Sequence, residues 1–460
     1  MAGMFNLERL ARLAEDGEDD ANYPGGGSRT TPGSQTSTVS TGDGFGTISQ
    51  GEGGLIALAY GRHICIGNLA YYDHQAGPPP VAFAVYMQGE GPWQECEKAW
   101  YAFQGEEIPE SMDSSTPGWH FHPGTLSTGP ADTVQGIDSF IPTGITYNKT
   151  ANTVVKFEEK YAAEQRPDKF RGRYKCRLVP DYDDTGTETD SGSYSANPAR
   201  VAADLLINRG GLSTSRVDWP SWVAWRDYCD GSLSWDDGTT THSIARFEAH
   251  LAFTEAIDLP DALDVCCMVS CSRWQDDGSK IRFLLPTDMT SQHTFRLDNI
   301  VADKLQIIPA DIQSAPRRIV AKFLDVLDEY FLEGSAELPN DTLIGIYGDR
   351  VSLRAFPNMN HSQAQRIIAY QMRLEAENPI FIEVTAPGDS LHLLPGDFCT
   401  LELGDASLDS YYLVIDASDN SSETTPDERV FRLQQIGAAP GSGALYSDSD
   451  HHPIQRPVAP

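Results

Sequence analysis

Residues 55–61 (LIALAYG), 63–72 (HICIGNLAYY), 81–87 (VAFAVYM) and 99–103 (AWYAF) form a series of short apolar segments broken by glycine and proline. Such segments, rich in Val, Ile, Tyr and Phe and repeating every ~8–15 residues, are the pattern of β-strands joined by turns. The same style continues in ITYNKTANTVVKF (145–157) and FRGRYKCRLV (170–179). Strands return from Ile281. Val351, Leu353 and Ala355 alternate with Ser352 and Arg354, which predicts a half-buried strand. Ile380, Ile382 and Val384 repeat the alternation, as do Cys399, Leu401 and Leu403, and a last strand is expected over Arg429–Gln435. The fold class read from this is mainly β, or α+β, with several β-barrel or β-sandwich domains.

Between these β regions the period changes to that of a helix. Asn197-Pro198, then ARVAADLLIN and Gly210-Gly211, reads as a capped helix: Asn supplies the cap, Pro suits the first turn and Gly closes the end. Asp218–Tyr228 places Trp222 and Trp225 at helical spacing, with Cys229 following. Leu259–Trp274 is expected to be a third helix, with Leu263, Cys267, Ser270 or Cys271, and Trp274 on one face. Residues 197–275 are therefore expected to pack as a small helical insertion whose seam includes Trp222, Trp225, Leu263 and Trp274. Further on, Ser362 to Gln365 reads as a capping box, and Ala364, Ile367, Ile368 and Leu374 form the apolar face behind it.

The ends read differently. Leu7, Leu10, Ala11 and Ala14 give a short helix over 5–14 one apolar stripe, followed by acidic residues and a Gly/Ser/Thr/Pro-rich linker over 23–44. A helix so short is expected to order only against a partner surface, the plain alternative being a frayed terminus. A chain starting at residue 45 is expected to fold. The segment 181–196 (DYDDTGTETDSGSYSA) is expected to be an acidic loop, and 437–460 a flexible tail.

Composition narrows the function. The 460 residues carry 34 Lys and Arg against 66 Asp and Glu, a net charge of −32. That sign opposes an electrostatic grip on nucleic acid or on an anionic membrane surface. No apolar run approaches the ~20 residues of a bilayer span, so stable membrane insertion is not expected. Met1–Asp20 has no basic start and apolar core, so a secretory signal is not expected either. Eight cysteines are too sparse for a disulfide scaffold and are expected to be buried free thiols in a protein made in a reducing cytoplasm.

His120 and His122 in WHFHPG lie on one face of a strand and form a two-ligand edge, but no third ligand stands at a diagnostic spacing, so structural histidines are expected. Cys266, Cys267 and Cys271 form no C-x-x-C, and read as buried small side chains. Asp227, Asp230, Asp236 and Asp237 lie among tryptophans, the ingredients of a glycosidase, yet their spacing is loose and the tryptophans read better as core. The glycine-rich stretches lack a P-loop lysine, and no G-x-S-x-G or H-E-x-x-H occurs. Asn148-Lys149-Thr150 and Asn340-Asp341-Thr342 fit the glycosylation pattern, which is idle without secretion. No catalytic, cofactor-binding or metal-binding residue is assigned, and no cofactor is expected.

Four groups of segments, in order, resemble one family. They are AYGRHICIGNL with QGEGPWQECEKAWYAFQGEEI; HPGT (122–125) with PTGITYNKTANTVVKF and FRGRYKCRLV; NPARVAADLLINRGGL, WRDYCD and RFEAHLAFTEAIDLPDALDVCCMVSCSRWQDDGSKIRFLL; and RRIVAKFLD, QAQRIIAYQMRLE and LLPGDFCTLEL. Their order over roughly residues 45–436 resembles the tail-tip attachment, or central tail hub, proteins of long-tailed bacteriophages, the lambda-like host-specificity family. The resemblance implies a homotrimeric hub of β-barrel domains at the distal end of the tail tube. Such a hub closes the channel through which DNA leaves and carries fibre or receptor-binding proteins, and an acidic interior suits a DNA conduit because like charges do not stick. It implies contacts with distal tail and tail-tube proteins and with the tape-measure protein, a place in the virion tail tip, and no enzymatic activity. Larger members continue into fibronectin-like modules and a fibre shaft. With 460 residues here, receptor recognition is expected from another protein, and residues 1–22 are expected to order in the assembled tail tip. The expected organisation is a helix and linker (1–44), a β-rich hub domain (45–196), the helical insertion (197–275), further β-rich hub structure with one helix (276–436) and a tail (437–460). The alternative reading is a carbohydrate-active protein, glycosidase or lectin-like, at the tail tip or secreted.

Overall fold

The computed structural model describes residues 57–450, apart from 66, 76–80, 102–106, 109, 111–117, 126–148, 158–169, 237–239, 288–289, 302–303, 310–314, 329–332, 378–379, 420–427 and 437–444. The helix expected over 5–14, the linker 23–44, Asn148 and Asp237 lie outside the described residues.

Among the described residues strands outnumber helices by far, as the alternating apolar segments predict. Two sheets enclose the first core. One has the order β3 (Asn68–Gln75), β4 (Val81–Glu90), β7 (Thr150–Phe157), β6 (Gly118–His122). The other has the order β2 (Arg62–Cys65), β8 (Phe170–Tyr182), β5 (Trp93–Tyr101). Residues 82–86 of β4 are buried without alternation, which is why VAFAVYM is a continuous apolar run: both faces of that strand are covered. Tyr86, Trp93, Trp119, Val155, Phe170 and Tyr174 fill the space between the sheets.

The segment 181–196 is not a loop. Residues 188–194 form β9 (Glu188–Tyr194), antiparallel to β8. The turn is tied by Asp183, whose carboxylate accepts from the backbone amides of Thr185 and Thr187, both at 2.9 Å. The acidic residues here are turn formers and hairpin surface.

The helical region begins with α1 (Pro198–Ala203), which continues as a wider π-helical stretch to Arg209. Asn197 caps it, accepting from the Ala199 amide at 2.9 Å, a contact worth about 1 kcal/mol. Next come α2 (Trp219–Cys229) and α3 (Leu259–Met268). The third helix stops at Met268 rather than reaching Trp274. Cys271 adopts a positive φ of 54°, which ends helical propagation, and Trp274 lies on β13 (Arg273–Asp276). Nor is 197–275 a purely helical insertion. It holds the hairpin β10 (Ser232–Asp236) and β11 (Thr241–Ala245), and β12 (Ala252–Phe253), which pairs with β1 (Leu58–Ala59). Trp222, Trp225, Leu263 and Trp274 do share one core, but it extends to Tyr60, Val179, Ile319, Ile367 and Tyr446, far along the chain.

A six-stranded sheet follows, ordered β15 (Ser291–Arg296), β21 (Phe398–Glu402), β22 (Ser410–Asp419), β23 (Arg429–Gln435), β20 (Ile380–Ala386), β16 (Leu305–Pro309), around a core that includes Phe295, Ile382, Val384, Leu401, Val414 and Phe431. A second sheet orders β18 (Glu333–Pro339), β17 (Arg318–Leu324) and β19 (Val351–Ala355). The helix α4 (Asp341–Tyr347) links β18 to β19, and α5 (His361–Met372) packs on β17 and β18. Asn340 caps α4 by accepting from the Leu343 amide at 3.1 Å. The cap of α5 is Asn360, two residues before the expected Ser362; it accepts from the Gln363 amide at 2.8 Å, and Ser362 is buried inside the first turn.

The tail is not free throughout. Leu445 and Tyr446 are buried in the main core, and residues 445–450 are clasped by three arginines. Arg246 grips Asp448 (Nε–Oδ1 2.9 Å, Nη2–Oδ2 3.1 Å), Arg366 donates to Tyr446 Oη (2.7 Å), and Arg373 grips Asp450 with both terminal nitrogens (2.6 and 2.8 Å). With only two apolar residues in sequence, the clasp shows no hydrophobic period. Paired two-pronged guanidinium–carboxylate contacts hold it instead.

Candidate functional site

The candidate catalytic groups are not brought together. Asp227 is ion-paired with its neighbour Arg226 at 2.8 Å on the surface, Asp230 caps the end of α2, and Asp236 is exposed at the end of β10. Trp219, Trp222, Trp225 and Trp235 are all buried, so none offers a stacking face to a sugar. His120 and His122 do point to one face of β6, their ring centroids 4.7 Å apart, and among the described residues no group of three ligating side chains forms around them. All eight cysteines are buried and unpaired, and burial raises the Cys266, Cys267 and Cys271 thiols above their ordinary range, the environment of inert core thiols.

Burial also creates polar nodes that sequence reading does not single out. His63 is enclosed where β2 meets residues 250 and 358. Its Nε2 lies 3.0 Å from the Tyr60 carbonyl, so that nitrogen carries the hydrogen, and its Nδ1 lies 3.1 Å from the Asn358 amide nitrogen and accepts. Nearby His250 takes the Arg62 amide on Nδ1 at 2.9 Å and faces Glu248 at 3.6 Å. Both nitrogens of neutral His63 are satisfied, and the enclosed site disfavours the charged ring. Burial, then the nearby His250, push its pKa from 6.5 down to about 4. The unfolded chain therefore binds this proton between pH 6.5 and 4 while the folded chain does not, and stability falls as pH falls through that window, by about 3 kcal/mol in full. Asp264 acts in the opposite sense. Burial lifts it to about 6 although Trp274 Nε1 donates to it at 2.7 Å, so its contribution is lost as pH rises through 4 to 6. We expect urea midpoints measured from pH 7 to 4.5 to fall less steeply in His63→Gln than in the parent. Identical slopes would show that His63 titrates normally.

A surface feature stands out for partner binding. The alternation of β19 predicts that Val351 and Leu353 face inward, but they face out: Val351 is 51 % exposed and Leu353 67 %. The other row of the strand turns toward the protein, where Arg354 pairs with Glu375 at 2.8 Å. Beside the exposed row lie Ile346 (65 %) and Tyr347 (45 %) at the end of α4. Arg317 stacks over the Tyr347 ring at 5.4 Å and donates to the Tyr347 carbonyl at 3.0 Å, which fixes that end of the helix. Ion pairs surround the apolar residues: Arg318 with Glu337 and Asp349, and Lys322 with Glu333 at 3.0 Å. β19 is the edge of its sheet, pairing only with β17 among the described strands. An apolar centre, a charged rim and an open strand edge are the ingredients of a protein–protein contact.

No protein-family profile and no curated protein sequence matches the chain. Solved structures do. A chain from the virion of the native gene transfer agent particle superposes with a TM-score of 0.63 at 13 % identity, covering 89 % of this chain and 90 % of that one. A tail protein from Neisseria meningitidis MC58 matches at a TM-score of 0.31 and 10 % identity (84 % and 96 % covered), and the 43 kDa tail protein of prophage MuSo2 from Shewanella oneidensis at 0.31 and 10 % (83 % and 98 %); likenesses this low add nothing to the assignment. The first establishes that the chain shares its fold, over nearly its whole length, with a chain of the gene transfer agent virion.

Proposed function

We propose that the chain is a structural protein of a phage-type tail: a homotrimeric hub at the distal end of the tail tube that caps it and anchors fibre or receptor-binding proteins. The observation that carries the reading is the likeness to a gene transfer agent virion chain over 89 % of the sequence. Distal tail, tail-tube and tape-measure proteins would be its neighbours, and its place the virion tail tip. The core between the first two sheets and the core of the six-stranded sheet support hub domains over 45–196 and 276–436, and the main core joins residues of both to the helical region. The outward apolar row of β19 fits the contact between copies. Non-enzymatic function fits the scattered candidate carboxylates and the buried tryptophans. The pure protein should turn over neither peptidoglycan nor capsule polysaccharide, and turnover that vanished in Asp236→Asn or Asp230→Asn would sink the hub reading.

The trimer has its own test. A lysine in place of Leu353 puts a charge in the middle of the proposed contact, where desolvating it is costly. Sedimentation equilibrium should find the parent trimeric and Leu353→Lys weakened by roughly tenfold or more in association. A parent chain that stays monomeric at tens of micromolar would remove the trimer, and an unchanged association constant would move the contact away from β19.

A further inference from the structure

A groove of about 350 Å³ lies between β18, the start of α4, α5 and the clasp. Its walls are apolar at Leu338, Pro339, Ala369 and Met372, and its rim carries the carboxylates of Glu337 and Asp341. Asp450, held by Arg373, forms one end. The stretch that follows Asp450 in the sequence is His451–Pro460 (HHPIQRPVAP). We propose that this stretch seats in the groove of its own chain, with Ile454 and the prolines on the apolar wall and Arg456 against the acidic rim.

Three observations point to that occupant. The first is position: Asp450 is fixed at the groove wall, and ten residues span up to ~33 Å, far more than the groove needs. The second is charge. In a chain with 66 acidic residues against 34 basic, residues 451–460 carry no acid, one arginine and two histidines. Asp341 lacks any hydrogen-bond or ion-pair partner among the described residues, whereas Glu337 already pairs with Arg318. Arg456 would complete the first and extend the second. The third is stiffness: Pro453, Pro457 and Pro460 restrict the free segment, which lowers the entropy lost when it seats. A segment held in place this way would also cover the clasp and shield the Arg373–Asp450 contact from water. The proposal does not depend on the tail-hub reading, since it concerns one copy of the chain.

The test uses the whole chain. Thr342→Cys with Gln455→Cys places thiols on the exposed start of α4 and next to Arg456, keeping both proposed charge partners; the eight native cysteines are buried and should not compete. Mild oxidation should give a cross-link within one chain, seen as monomer mass on a denaturing non-reducing gel and as a single linked peptide by mass spectrometry. A cross-link between two chains would show that a second copy's segment fills the groove, and no cross-link would show that it is empty; either overturns the proposal. In the unmodified chain the amides of Ile454 and Arg456 should exchange at least tenfold more slowly than in Asp341→Arg. Equal exchange in the two would likewise overturn it.

Discussion

Replacing Asp204 by alanine should lower stability by about 3–5 kcal/mol, one of the largest losses expected from any single substitution in this chain. Asp204 sits at the junction between α1 and the π-helical stretch and is 1 % exposed. Oδ2 accepts from Tyr60 Oη at 2.6 Å and from Arg177 Nε at 2.8 Å, and Oδ1 accepts from Asn208 Nδ2 at 2.8 Å. Arg177 also donates to the Gly91 carbonyl at 2.9 Å, so the node ties the helical region to β8 and to the β4–β5 turn. Alanine leaves the Arg177 guanidinium buried with no counter-charge, and the cost comes from that orphan rather than from the lost bonds themselves. The measurement is the first urea transition. Asp204→Leu combined with Arg177→Met should recover most of the loss, because it removes both charges and keeps apolar volume. A loss under 1 kcal/mol in the single variant, or no recovery in the double one, would show that the node is hydrated and of little weight.

The physics decides which parts of this fold can be read from the chain. Arg429–Gln435 was legible because Phe431 and Leu433 are buried on one face of β23 with polar Arg432 and Gln434 on the other. Asn197 was legible as a cap because capping is local chemistry. The failures arise where the deciding partner is distant. Cys267 and Trp274 match a helical period, yet the positive φ of Cys271 breaks it, and packing across the core rather than any local signal fixes that turn. The helix Asp341–Tyr347 buries no residue, so it has no amphipathic stripe to detect. Asp204 is one acid among 66, and nothing local sets Arg366 apart, because their partners Arg177 and Tyr446 lie 27 and 80 positions away. β19 is the instructive case. Its alternation identifies a half-buried strand but not the buried side, since an apolar row facing solvent in one copy has the same pattern as one facing a core. Such a conflict between local pattern and single-chain burial is expected where a partner completes the structure.

Trp225 tests whether the tryptophan-rich segment is core or binding platform. Its side chain is fully buried in α2; the ring stacks on Phe283 of β14 (Ile281–Leu284) at 4.6 Å and 24°, and Nε1 donates to Ser270 Oγ at 3.1 Å. Trp222 beside it donates to the Ala199 carbonyl at 2.7 Å, which locks α2 to α1. Trp225→Ala removes the stacked apolar contact between α2 and the β13–β14 hairpin and leaves a cavity that close-packed neighbours fill only in part, so the cost should be about 3–5 kcal/mol. Trp225→Phe keeps the stack on Phe283 and loses only the outer ring and the hydrogen bond, so it should cost clearly less. The ordering alanine, then phenylalanine, then parent in urea midpoint identifies a packed core. A sugar platform predicts the reverse profile: little change in stability for either variant, and loss of glycan binding in both. Because the ring has no exposed face, the first outcome is expected, and a change within experimental error for Trp225→Ala would return the carbohydrate reading to contention.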